Sequence, residues 1–154
     1  EIVDKPSVLM SELLAPNSTY FSSLLARHKP GSVDYVLSPF DAISVLWTPQ
    51  AAQRGRTEIK FTGQGPQEKY FDMVAKGDPP NAAMTMSAPQ GFMSWAALDL
   101  VERIAAGEEP WDAGALPLGI VTKESAPEFD PKHPYAAPDY DYEAHFKQLW
   151  GRGA

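Results

Sequence analysis

Short apolar runs alternate with helical periods along most of this chain, and that alternation limits the available folds more than any single motif does. Val33-Asp34-Tyr35-Val36-Leu37 reads as a buried strand that leads through Ser38-Pro39-Phe40-Asp41 into a helix carrying Ala42, Ile43, Val45 and Leu46. Thr57 to Thr62 is the next strand, and Gly63-Gln64-Gly65-Pro66 turns it into a helix with Tyr70, Phe71, Met73 and Val74. Lys76-Gly77-Asp78-Pro79-Pro80 stops that helix. A third strand runs from about Ala82 to Met86, Pro89 opens a long helix that closes at Gly107, and Pro117 to Lys123 is a short fourth strand. Strands joined by helices at these spacings predict an α/β fold, a parallel sheet with flanking helices and right-handed crossovers.

Local signals add detail. Before the first strand, Tyr20, Phe21, Leu24 and Leu25 recur at helical spacing, and Lys29-Pro30-Gly31 ends the run. Asp41 is a natural N-cap, because a carboxylate there can accept from the unpaired amides of the first turn. Pro49 is expected to kink or shorten the helix that holds it. In the long helix, Met93, Ala97, Leu100 and Ile104 form one stripe, while Trp95, Asp99 and Arg103 form the next, with Asp99 and Arg103 one turn apart and able to pair. The stretch from about Glu124 to Tyr142 has no periodicity and reads as a surface loop. Tyr142 to Trp150 reads as a short amphipathic helix docking through Phe146, Leu149 and Trp150.

Composition excludes several classes. The 154 residues carry a net charge of −7 with no basic stripe, which argues against a nucleic-acid partner. Cysteine is absent, which removes disulfides, a thiolate nucleophile and a cysteine-ligated metal. No apolar run approaches the ~20 residues that cross a bilayer, and Glu1-Ile2-Val3-Asp4 does not form a signal peptide, so an exported chain would have lost its targeting segment. His28, His133 and His145 share no metal spacing, and Asp130, Asp139 and Asp141 lack the alternation and glycine of a calcium loop. No nucleophile elbow, phosphate-loop lysine or dinucleotide turn is present, so neither an enzyme nor a cofactor is expected.

In an open parallel sheet, ligands bind at the carboxyl ends of the strands. Three such ends are Ser38 to Asp41, Thr62 to Gly65 and Met86 to Gln90. Asp41, Gln64 and Ser87 could exchange hydrogen bonds with a small polar ligand, and Phe40, Trp47 or Trp95 could cover an apolar face of it. Each has a plainer reading: Asp41 as a helix cap, Gln64 as part of a tight turn between two glycines, and Trp95 as packing.

The order of these elements, with Trp95-Ala96-Ala97-Leu98-Asp99, Arg103, Ala105-Ala106-Gly107 and the terminal Leu149-Trp150-Gly151, resembles the C-terminal part of periplasmic sugar-binding proteins of ABC importers, the type I periplasmic-binding-protein family. The resemblance implies a periplasmic protein that captures a sugar or sugar-like solute and docks on an ABC permease. It implies ligand contacts at Phe40, Asp41, Gln64 and Ser87, with Gln64 standing where the family usually has an Asp in a Gly-Phe-Asp-Gly-like turn. It also implies a division into residues 1–80 as strand-helix units of the C-terminal lobe, 81–110 as a hinge strand and helix that belong to the other lobe in the family, and 111–154 as a return strand, tail and docking helix. In that reading the chain is a fragment, and a partner chain or a missing N-terminal lobe covers the helix after Pro89. Two other classes remain open: the effector domain of a transcription regulator, which shares the fold, and a ligand-free α/β interaction protein.

Overall fold

In the computed structural model, residues 1–15, 19–65, 67–112, 118–126 and 141–151 are described. The chain divides into two units, Glu1–Met86 with Ile120–Pro127, and Ser87–Gly119 with Glu128–Ala154.

Helix α1 (Met10–Leu13) and helix α2 (Tyr20–Arg27) precede strand β1 (Tyr35–Leu37), helix α3 (Asp41–Gln53), strand β2 (Lys60–Gln64), helix α4 (Glu68–Lys76) and strand β3 (Ala82–Ser87). Helix α5 (Gln90–Ala106), strand β4 (Gly119–Thr122) and helix α6 (Tyr142–Leu149) complete the order. The strands form one sheet in the order β1-β2-β3-β4. Both β1 with β2 and β2 with β3 pair in parallel, with Leu37 opposite Thr62 and Gln64 opposite Met86. The expected parallel α/β architecture is therefore present.

The first unit's core follows from its helical stripes. Phe21, Leu24 and Leu25 are the buried face of α2, and Phe21 stacks on Trp47 of α3 at 4.7 Å while meeting Phe61 of β2 edge-on at 5.8 Å. Burying each such ring stabilises the fold by about 1.5–3 kcal/mol. The register between β2 and β3 shifts between Phe61 and Thr62, and the Tyr70 hydroxyl donates to the Phe61 carbonyl at 2.7 Å.

Arg56 had no role in the sequence reading, yet it is buried and ties several segments together. Its guanidinium donates to the carbonyls of His28 (2.9 Å), Lys29 (3.1 Å) and Leu25 (3.3 Å) and pairs with Glu58 at 2.6 Å. The carbonyls at the end of a helix have no partner inside it, so a cation placed there satisfies them. Asn81 then anchors the Arg56 and Ile59 carbonyls at 2.8 and 2.9 Å. This anchoring explains why β2 begins at Lys60 and not at Thr57 as expected: residues before it are held in a turn by Arg56.

Two other expectations need correction. Asp41 does not cap α3; Phe40 is the N-cap residue, and it makes no side-chain cap bond. Nor does Pro49 shorten α3, which continues to Gln53 because Ile43, Trp47 and Ala51 are buried on both sides of the proline.

In the second unit, α5 ends as expected at Gly107, whose φ of +75° is the left-handed conformation that glycine adopts without penalty. Its packing against α6 uses the stripe of Trp95, Ala96 and Asp99. Trp95 stacks on Trp150 at 5.4 Å, Phe92 meets Tyr142 edge-on at 5.7 Å, and Ala96 and Phe146 are buried between them. Trp150 and Phe146 dock the terminal helix as anticipated, while Leu149 is exposed. Asp99 is the polar centre: Arg103 Nε and the Trp111 and Trp150 indole nitrogens donate to its carboxylate at 2.8, 2.7 and 2.8 Å. Burial pushes the Asp99 carboxyl up, but these three donors outweigh it and hold the group below the usual carboxylate value. Of the neighbouring aliphatic stripe, Met93, Ala97 and Ile104 are exposed, Ile104 to 63%, and Leu100 is half-buried; Leu98 and Val101 beside it are exposed too.

Most of the expected surface loop, residues 127–140 with Asp130, His133 and Asp139, lies outside the described residues. Among the described residues no group of His, Cys, Asp and Glu could hold a metal ion, and no helix is long and apolar enough to cross a membrane.

Candidate functional site

β1 and β2 run in parallel, so their carboxyl ends emerge at one edge of the sheet, and the N-termini of α3 and α4 start there. Phe40 lies just past the end of β1 and is 50% exposed. Gln64 is the last residue of β2 and is exposed. An apolar ring and a neutral amide thus stand at adjacent strand ends, and such a pair can cover one face of a small polar molecule while exchanging hydrogen bonds with it.

Asp41 takes a different place. It is 1% exposed and faces inward, where Oδ1 accepts from Thr85 Oγ1 of β3 at 2.7 Å and Oδ2 accepts from the Gln67 amide at 3.4 Å. The carboxylate thereby links the start of α3 to β3 and to the turn before α4. Room for it comes from Gly63, where a Cβ would fall on Asp41 Oδ1 and 2.8 Å from the Tyr70 ring. Ser44 seals the same region by donating to the Thr62 carbonyl at 2.8 Å. Burial pushes the Asp41 carboxyl up to about 6, against the smaller opposing effects of the Thr85 hydroxyl and the Gln67 amide. The same burial, with Asp41 nearby, raises Tyr70.

Ser87 ends β3 and is fully buried; it belongs to the second unit, whereas Phe40, Asp41 and Gln64 belong to the first. Of the two tryptophans considered for ring stacking, Trp47 is buried against Phe21 in the core, and Trp95 packs on Trp150 and Phe146. The residues that sequence reasoning missed here are Thr85 and Gly63. A glycine next to Gln64 was visible, but nothing local marks Thr85 as the partner of a residue 44 positions earlier.

No protein-family model and no curated protein matches the sequence. Solved structures do match the fold. One is a sugar ABC transporter structure from Yersinia enterocolitica, with a TM-score of 0.71, 16% identity, and 97% of this chain aligned to 46% of that one. A second is the substrate-binding protein of a sugar ABC transport system from Bordetella parapertussis, with a TM-score of 0.63, 18% identity, and coverage of 89% and 45%. A third is an ABC transporter solute-binding protein from Mycobacterium smegmatis with bound glycerol, with a TM-score of 0.62, 20% identity, and coverage of 78% and 40%. The chain spans less than half the length of each of these structures, and it has the fold of that part of an ABC-transporter solute-binding protein.

Proposed function

We propose that this chain contributes to the capture of a sugar or sugar-like solute for ABC-transporter uptake, outside the cytoplasmic membrane and alongside a permease. The observation that carries the reading is the pairing of a half-exposed Phe40 with an exposed Gln64 at the carboxyl ends of adjacent parallel strands, in a chain whose structural neighbours include proteins described as sugar transporter components. Phe40 covers the ring carbons, and Gln64 exchanges hydrogen bonds with hydroxyls. Asp41 lies beneath and positions the turn that carries Gln64, through its bond to the Gln67 amide. Binding by this surface is weak, because one face of a ligand is covered and the other meets water.

A calorimetric titration with a panel of monosaccharides and small polyols tests the reading. At least one should bind, and both Phe40→Ala and Gln64→Ala should weaken it about tenfold, the loss of one stacking or hydrogen-bonding contact. If none of the panel binds, or binding ignores both substitutions, solute capture at this edge is wrong. The exposed stripe of α5, with Val101 and Ile104 open, favours a second reading, in which the chain is an interaction module whose α5 face is covered by a partner chain or a further lobe. That reading predicts no sugar binding and a complex that Ile104→Lys abolishes.

A further inference from the structure

Asp41 is a buried acid without a countercharge. A carboxylate has about four acceptor sites, yet this one receives one short bond, from Thr85 Oγ1 at 2.7 Å, and one long one, from the Gln67 amide at 3.4 Å. Among the described residues no cation pairs with it. β2 brings it the bare backbone of Gly63, β3 the Thr85 hydroxyl, and α4 the Tyr70 ring, whose hydroxyl burial keeps neutral. The charges on those elements lie elsewhere: Lys60 donates to the Pro80 carbonyl at the other end of β2, Glu68 and Lys69 are exposed, and Asp72 pairs with Lys76 further along α4. On the strand-end side, the exposed residues around the carboxyl are Phe40, which precedes it, Gln64, which follows the glycine lying against it, and Gln67. The first two are the residues on which a solute would lie.

We infer, on the reading that Phe40 and Gln64 capture a solute, that capture is coupled to the protonation of Asp41: binding takes up a proton and tightens in mildly acidic surroundings. Burial outweighs the Thr85 and Gln67 bonds and holds the carboxyl up at about 6, so its anion depends on the water that reaches it from the strand ends. A molecule lying on Phe40 and Gln64 displaces that water, and a neutral sugar or polyol brings no cation in exchange. The neutral acid therefore gains over the anion. A carboxyl sealed wholly from water reaches about 7–9, so closing the edge has room to raise Asp41 by at least about one unit. Linkage then fixes the sign. Below about pH 6 Asp41 already holds its proton and the solute binds without cost to it; above about pH 7, binding either buries an anion or draws a proton from solution, so affinity falls, by about tenfold for one unit.

Nuclear magnetic resonance of the Asp41 carboxyl carbon, followed from about pH 4 to pH 9 with and without glycerol, glucose and ribose as probes, reads the coupling directly. Without a probe Asp41 should titrate near 6. With a saturating probe that midpoint should rise by about one unit, and the affinity measured by calorimetry should fall about tenfold between about pH 5 and pH 8. Asp41→Asn has no proton to lose there and should bind the probe with an affinity that is constant over that range. The variant keeps all three histidines, so a dependence arising from them persists in it. A probe that binds equally at both pH values, with the Asp41 midpoint unmoved, overturns the inference and leaves solute capture standing. A pH dependence that Asp41→Asn retains overturns it too. If no probe binds at either pH, solute capture fails and the coupling fails with it.

Discussion

Replacing Asp41 with asparagine isolates the energetic consequence of burying a carboxyl under the carboxyl edge of the sheet. Desolvation raises this group from 3.8 to about 6, so the folded chain holds its proton more tightly than the unfolded chain does. The associated stability is therefore fully present below about pH 4 and is lost as the pH rises through about 6. A shift of about two units corresponds to about 3 kcal/mol lost on going from pH 4 to pH 8. The asparagine side chain carries no charge at either pH and keeps an oxygen for Thr85, while its second acceptor, the one facing the Gln67 amide, is exchanged for a donor at a cost of about 1 kcal/mol. D41N should accordingly be about 1 kcal/mol less stable than the parent near pH 4 and about 2 kcal/mol more stable near pH 8, an increase of about 4–8 °C in melting temperature. Urea unfolding of both proteins across this range gives the difference directly, and the other carboxyl groups, whose shifts are common to both, cancel from it. A stability difference that does not change between pH 4 and pH 8 would refute the argument that desolvation governs Asp41.

Two further perturbations probe the residues that organise each unit. Arg56→Ala removes the donors to the His28, Lys29 and Leu25 carbonyls and leaves Glu58 with the Gly31 amide but no cation, so it should cost about 2–4 kcal/mol in urea unfolding; Arg56→Lys should recover less than half, since an ammonium cannot span the same fork. Asp99→Ala strands two indole N–H groups and leaves the Arg103 guanidinium only its contact with Glu108, and it should destabilise the second unit by about 3 kcal/mol, with red-shifted tryptophan emission as the Trp95–Trp150 stack loosens. Because the folded chain holds Asp99 below its ordinary value of 3.8, its contribution is present above that pH and is lost as the pH falls below it; the Asp99→Ala protein should lack that part of the acid sensitivity, read from melts between about pH 2 and pH 5.

The sequence alone determined the features that short-range physics controls. Alternating apolar runs and helical periods place β1, α3, β2, α4, β3 and α5 in order, since a strand must bury every second residue and a helix every third or fourth. Pro89 and Gly107 bracket α5, and Asp99 reaches Arg103, because these signals act within one helical turn. Phe40 and Gln64 were placed at strand ends by the same local logic. Where the polar side chains go depends on contacts between segments far apart in the chain. Asp41 turned from an expected cap to a buried tie because Thr85 and the Gln67 amide, 44 and 26 positions away, gather around it. α5 buries its aromatic and acidic stripe in preference to its aliphatic one, since α6 brings Phe146 and Trp150 to complement Trp95, and Trp150 with Trp111 satisfies Asp99. Arg56 caps a helix that ends 29 positions before it. In each case a buried polar or aromatic group is stable only beside a partner that is distant in the chain, and the local sequence around either one carries no trace of the other.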